Sequence, residues 1–358
     1  LNSFRPLLIF WAVLLALLGA GAAYLQVTFP SASLARPGNA PRRIAAAAPH
    51  AAPTRAAPTP LPLPAAPAAS GAPIAEPDAS LLENATDLPG NVLPRIADDG
   101  RTPAQAYAAE FDPGERHPRI ALLIDGIGLD RALSEQAIST LPSAIDIAFS
   151  AYAPALVALK LASEARHQGR ECLVSIPMEP SGFPVTEEGD RSLLIGASPS
   201  QNRVDLELAL TTVQGCVGAT AASDGMAGER FAESRQSFAE MLQALDRRGL
   251  LYLDPRPGAP PPDSAADKPL PRVADVVVDR APSADEPANA QAIDKGLATL
   301  ERIAAERGSA IGIAGPPRTV LLERISVWAN GLAARGMVLA PLTAIAPPRR
   351  PNPSEPSQ

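Results

Sequence analysis

The chain has 358 residues, 41 of them proline, and a formal net charge of −7. No stretch concentrates Lys and Arg beside aromatic residues, which excludes the electrostatic footprint of a nucleic-acid binder. Proline and alanine crowd the N-terminal third and the tail, so one folded domain is expected although the length would allow two or three.

Residues 1–6 form a short N-terminal segment. Residues 7–27, LLIFWAVLLALLGAGAAYLQV, carry no charge and are long enough to cross a hydrocarbon core of about 30 Å. A transmembrane anchor is expected there. The run is longer than the apolar core of a cleaved signal, although Ala20, Gly21 and Ala22 supply small residues at which cleavage stays open. Arg5 precedes the run while Arg36, Arg42 and Arg43 follow it, against the positive-inside tendency.

Residues 28–90 are dominated by Pro and Ala and lack the bulky apolar groups that would offset chain entropy. An extended spacer is expected, rising about 3.1 Å per residue in the polyproline form. Ile96, Tyr107 and Phe111 then reappear, and this piece is expected to pack onto the domain that follows. The domain is bounded at 91–346, and the Pro-rich tail 347–358 is expected to be disordered.

Within the domain, RIALLID, AIDIAF, CLVSIP, CVGATA, LLYLD, VADVVV, AIGIAG and MVLAPL read as strands. Amphipathic stretches separate most of them: Leu129, Leu133, Ala137 and Leu141 recur at helical spacing, and Ser198-Pro199-Ser200-Gln201 has the form of a capping box. Strands apolar throughout and alternating with helices imply a parallel sheet covered on both faces. About eight repeats point to an α/β fold of the (β/α) barrel kind. The cysteines, Cys172 and Cys216, follow no metal or redox spacing. They read as two small buried apolar residues, with a disulfide as the alternative in an oxidising compartment.

Reactive groups of such barrels come from the C-terminal ends of the strands. The candidates there are Asp125, Glu179, the turn Ser223-Asp224-Gly225, and Asp254 with Arg256; Arg230 joins them as a possible sugar or carboxylate ligand. Each has a structural alternative. An Asp that closes a strand before a Gly often only organises the turn. Gly126-Ile127-Gly128 imitates a phosphate loop, but a strand-to-helix turn explains both glycines.

LLIDGIGLD, IDIAFSAYAP, SIPMEP, EEGDRSLLIGASPSQN, LLYLDPRPG, GSAIGIAGPPRTVLLERI and RGMVLAPLTAI resemble, in order and spacing, the divergent polysaccharide deacetylases, relatives of the chitooligosaccharide deacetylase superfamily. The resemblance covers residues 117–346. It implies a deformed (β/α) barrel outside the cytoplasm, anchored in the inner membrane, acting on an envelope polysaccharide or peptidoglycan. It also implies a divalent metal such as zinc that acidifies water and polarises an acetyl carbonyl, with a carboxylate as base.

The implied ligands depart from the pattern. Asp125 matches the first residue of the family's Asp-Asp pair, but Gly126 stands at the second. Residues 222–228 replace an Asn-His-Met-Gly-Ser type turn without a histidine, and Ala314-Gly315-Pro316 replaces Gly-His-Pro. The chain's three histidines, His50, His117 and His167, follow no strand end. A zinc site needs about three protein ligands plus water, so no metal site is expected, although Asp125 and Asp224 could hold a hard cation weakly through water.

Three functions follow. The first is a degenerate deacetylase domain that binds glycan or a partner, with Glu179, Arg230, Asp254 and Arg256 as candidate substrate ligands. The second is a working hydrolase that uses Asp125 with an unrecognised ion or base. The third is a structural adaptor for another envelope protein.

Overall fold

The computed structural model describes residues 71–223, 225–260, 272–279 and 286–346. The expected anchor at 7–27, the spacer up to residue 70, Asp224 and the tail from 347 lie outside the described residues. Among those described, no helix is long and apolar enough to cross a membrane.

The strands in chain order are β1 Leu82–Asn84, β2 Val92–Pro94, β3 Arg119–Ile127, β4 Asp146–Ser150, β5 Cys172–Ser175, β6 Gly218–Thr220, β7 Leu251–Asp254, β8 Arg272–Val273, β9 Val276–Asp279, β10 Ser309–Ala314 and β11 Val338–Leu339. β1 and β2 form a small antiparallel pair. The others build one sheet in the order β8-β7-β6-β5-β4-β3-β10-β9, with β11 beside β3, and every pairing is parallel.

The two ends of that order lie on one stretch of chain. Arg272 and Val273 pair with β7, and Val276 and Val277 pair with β10. Between them Ala274 N–H donates to the Asp254 carbonyl (2.9 Å) and Asp275 N–H to the Ile311 carbonyl (2.8 Å). One extended segment thus serves both edges, and the sheet curls back on itself as a deformed (β/α) barrel with seven strand positions. The eighth expected strand, MVLAPL, contributes only Val338 and Leu339, paired with Arg119 and Ile120 ahead of the β3–β4 ladder. It stops there because Pro341 has no N–H to continue a ladder and leads directly into the helix Leu342–Ile345.

Side-chain alternation separates two cores. Ile120, Leu122 and Ile124 of β3 and Ile147 and Phe149 of β4 pack outward with helix residues such as Ala137, Ile138, Leu161 and Leu300. Ala121, Leu123, Ala148, Leu173, Ile311 and Ile313 form the second cluster, which fills the barrel. Burial on both faces is why these strands carry no polar alternation. The helix Pro199–Leu210 starts as expected, with Ser198 Oγ accepting from Gln201 N–H (3.2 Å). The box is only half made, however, because the Gln201 amide turns to Asp205 (3.0 Å) instead of back to the cap.

The expected spacer is shorter than its composition suggests. From residue 71 the chain lies on the domain: Ile74 and Leu81 are buried, Ile74 N–H donates to the Arg166 carbonyl (2.9 Å), and β1 falls within the segment assigned to the spacer. Two well-spaced apolar side chains suffice to dock a Pro/Ala-rich stretch, and composition averages them away. Tyr107 is buried as expected, its hydroxyl accepting from Asp78 N–H (2.9 Å), and Phe111 lies under the Arg119 guanidinium (5.2 Å).

Two buried carboxylates tie the ends of the domain beneath the barrel. Asp146 Oδ2 accepts from Leu342 N–H (2.9 Å). Glu171 accepts from Ala109 N–H (2.9 Å), Thr343 N–H (3.2 Å) and the Thr343 hydroxyl. Burial raises both: Asp146 goes well above the carboxylate range, with Glu171 adding repulsion, and Glu171 is pushed up to about 7.

Cys172 and Cys216 are joined, their Cα atoms 4.7 Å apart and 44 residues apart in sequence, so the alternative of a disulfide is the one realised. The bridge links the start of β5 to the residues entering β6. Cys172→Ala with Cys216→Ala is expected to lower stability by about 2–4 kcal/mol. Urea unfolding with and without dithiothreitol checks this: reductant should bring the wild type down to the double variant and leave that variant unmoved.

Candidate functional site

The C-terminal end of the barrel is where the strand-end candidates fall. Asp125 follows Ala121 and Leu123 on the inward face of β3 and is buried. Ala314 pairs with Ile124, which brings Gly315 beside Asp125. The approach is close: a Cβ on Gly315 would lie 1.9 Å from Asp125 Oδ1, and Gly315 has φ +142°. Only glycine leaves room for that carboxylate.

Gly126 is similarly constrained. Its φ is +72°, and a Cβ there would lie 2.7 Å from Pro316 Cβ. Gly128 N–H donates to Ser134 Oγ (2.9 Å), and a Cβ at Gly128 would lie 2.5 Å from Ala153 Cβ. The Gly-Ile-Gly sequence is therefore a packed strand-to-helix turn and not a phosphate cradle.

The remaining candidates are paired among themselves. Glu179 binds Arg230 (2.8 Å) and accepts from Ile195 N–H (2.8 Å), while Arg230 also donates to the Phe183 carbonyl (3.1 Å). Together they fasten the loop after β5 to the helix Glu229–Glu233. Asp254 accepts from Arg256 three times, at the backbone N–H (3.0 Å), Nε (2.9 Å) and Nη2 (2.6 Å). It follows Tyr252, whose ring packs outward on Phe238 (5.8 Å), and the Arg256 guanidinium covers the same Phe238 ring (5.4 Å). Asp254 and Arg256 thus belong to the helix-facing side of β7. The bidentate geometry satisfies both partners without a ligand.

Two groups at this end carried no signal of their own in the sequence. Asp279 at the end of β9 is paired with Arg318, which precedes the helix Thr319–Asn330. Glu188 lies within EEGDRSLLIGASPSQN, where a second Glu before a Gly reads as loop polarity. It is buried, 6% exposed, and its Oε2 accepts from Met178 N–H (3.1 Å). Burial pushes its carboxyl up to about 9; Glu229 and Asp125 add repulsion, against the Met178 N–H and the nearby Ser223 hydroxyl. Of the Glu188 neighbours, Asp125 lies in β3, and Met178 and Ser223 follow β5 and β6 in the chain. Gly189, next in the chain, has φ +99° and packs on Tyr152, with a notional Cβ 2.5 Å from the phenol oxygen.

The residues present do not fit the divalent ion that the family pattern implies. Among the described residues no three His, Cys, Asp or Glu side chains converge to hold a metal. The two family ligand positions at 126 and 315 are glycines whose side-chain space is filled by Pro316 and by Asp125 itself.

The sequence pattern of the divergent polysaccharide deacetylases matches residues 122–346. The chain belongs to that family, which ties it to carbohydrate chemistry in general. Among solved structures it is similar to an uncharacterized protein of Agrobacterium tumefaciens C58, with 28% identity and a TM-score of 0.61 over 71% of this chain and 99% of that one. It also aligns with an Enterococcus faecalis V583 protein named for cellobiose-phosphate cleavage, at 10% identity and a TM-score of 0.43 over 64% of this chain and 99% of that one. No curated protein matches the chain.

Proposed function

We propose that this protein is a glycan-binding member of its family that has lost metal-dependent deacetylation, tethered at the inner membrane by residues 7–27 with its barrel outside the cytoplasm. The observation that carries this reading is the double glycine. With Cβ space at 126 taken by Pro316 and at 315 by Asp125, two donors are replaced and their sites are closed. A single missing ligand leaves room for another residue or water to take its place, whereas a filled site does not. Support for the location comes from the Cys172–Cys216 disulfide, since such bonds persist in oxidising compartments, and from the uncharged N-terminal run. The ligand class is an envelope polysaccharide or peptidoglycan, as the family's carbohydrate chemistry suggests.

The test is metal analysis of the full chain purified in mild detergent, alongside acetate release from an acetylated chitooligosaccharide and binding of that oligosaccharide in chelator. Expected are substoichiometric zinc, no acetate, and binding unchanged by EDTA. Stoichiometric zinc with acetate release that Asp125→Ala abolishes would overturn the proposal.

A further inference from the structure

The Cys172–Cys216 bridge lies beneath the segment that runs from residue 71 to the barrel. Cys172 is 3% and Cys216 5% exposed. They share one apolar cluster with Ala85 and Leu93 of that segment and with Leu210 and Val213, at the end of the helix Pro199–Leu210 and just beyond it. Leu81, Pro94 and Tyr107 of the segment line, together with Val174, Leu210 and Cys216, a cavity of about 10 Å³, room for one water molecule and not for a thiol reagent. The residues beside each cysteine are held by the same segment. Ala109 N–H donates to Glu171 (2.9 Å), next to Cys172. The Gln214 amide donates to the Val92 carbonyl (3.1 Å), and a Cβ on Gly215 would lie 3.4 Å from Pro77 Cγ.

This cover is separable from the barrel. β1 and β2 pair with each other and with no strand of the large sheet, so the segment can lift without breaking a barrel ladder, an opening that costs less than global unfolding. Reduction of a disulfide depends on access to its sulfurs. A dithiol does it in two steps. One thiolate attacks a sulfur, the S–S bond breaks as a mixed disulfide forms, and the released cysteine takes up a proton. The second thiolate then displaces the other cysteine, which is protonated in turn, and the reagent leaves oxidised as a cyclic disulfide.

We propose that residues 74–109 are a redox gate over the Cys172–Cys216 bond: docked, they shut thiols out; lifted, they admit them. By linkage the bond in turn favours the docked segment. The gate is independent of the glycan-binding reading.

Timed reduction of the full chain in detergent by excess dithiothreitol, without denaturant, tests the gate, with free thiols capped by iodoacetamide and counted by mass. The wild type should lose its bond about a hundredfold or more slowly than oxidised glutathione does under the same conditions. Leu81→Ala hollows the contact between segment and barrel and should speed reduction by about tenfold or more. Tyr107→Phe removes only the hydroxyl that accepts from Asp78 N–H and should speed it by about fivefold. Ile325→Ala is a comparable truncation of a buried side chain in the helix Thr319–Asn330, outside the segment, and should leave the rate within about twofold of the wild type. In Cys172→Ala/Cys216→Ala the amides of Ala85 and Ala109 should exchange with solvent about tenfold faster than in the wild type. Equal acceleration by Leu81→Ala and Ile325→Ala would mean that reductant enters only through global unfolding, and overturns the gate. So does a wild-type rate like that of glutathione, a rate that neither Leu81→Ala nor Tyr107→Phe moves, or unchanged amide exchange in the double variant.

Discussion

Gly315→Ala is expected to lower the unfolding free energy by about 3–5 kcal/mol, at the upper end of single-residue effects. Two costs add. A backbone with φ +142° disfavours any L side chain, and the new methyl would meet Asp125 Oδ1 at 1.9 Å and Asp125 N at 2.9 Å. Truncating the neighbour in Asp125→Ala/Gly315→Ala removes the carboxylate contact but not the backbone one. The double variant should therefore recover part of the loss, and this non-additivity separates packing from backbone strain. Urea unfolding followed by circular dichroism gives both quantities. The same geometry bears on metal chemistry: rebuilding the family ligands as Gly126→Asp/Gly315→His should yield a destabilised protein that still purifies without stoichiometric zinc. Both new side chains begin in space already held by Pro316 and Asp125. A folded double variant with one zinc per chain would show that the mouth relaxes far enough to readmit the ion.

The barrel was legible in the sequence because a parallel strand buried on both faces leaves a plain mark, a short apolar run bounded by turn residues. RIALLID and AIGIAG became adjacent β3 and β10. The division of VADVVV between two neighbours was not legible, since pairing partners distant in sequence leave no periodicity. The start of the packed domain was missed because Ile74 and Leu81 dock a stretch whose average composition is that of a linker. At the site, residue type located the strand-end acids but not their partners. Glu179 and Arg230, like Asp254 and Arg256, have the composition of a sugar site, yet their charges are spent on each other. Glu188 shows the converse: its interest comes from burial beside Asp125 and Glu229, which no local pattern encodes. The missing imidazoles were read directly, but that the space at Gly315 is taken by Asp125 required coordinates.

Arg170→Met is the other substitution expected to cost about 3–5 kcal/mol. Arg170 is fully buried at 0% exposure. Its Nη1 donates to the carbonyls of Pro142 (3.0 Å) and Ile145, and its Nη2 to those of Ile138 (3.1 Å) and Leu141 (2.8 Å). Two of these acceptors lie in or directly after the helix Arg131–Thr140, where the last carbonyls of a helix have no partner within it and the dipole favours a cation. Burial lowers the guanidinium to about 10, while the attraction of Asp146 opposes that shift, so the group remains charged at neutral pH. Methionine fills much of the volume but leaves four carbonyls without a donor and Asp146 without its cation. Arg170→Lys should fall between wild type and Met, because one ammonium cannot span four acceptors set around a planar fork. Combining Arg170→Met with Asp146→Asn should cost less than the sum of the single changes, since the interaction between the two side chains is already lost in either single variant. Additive losses in that cycle, measured by urea unfolding at pH 7, would mean that Arg170 acts only by capping the turn and that its electrostatic link to the base of the barrel carries no weight.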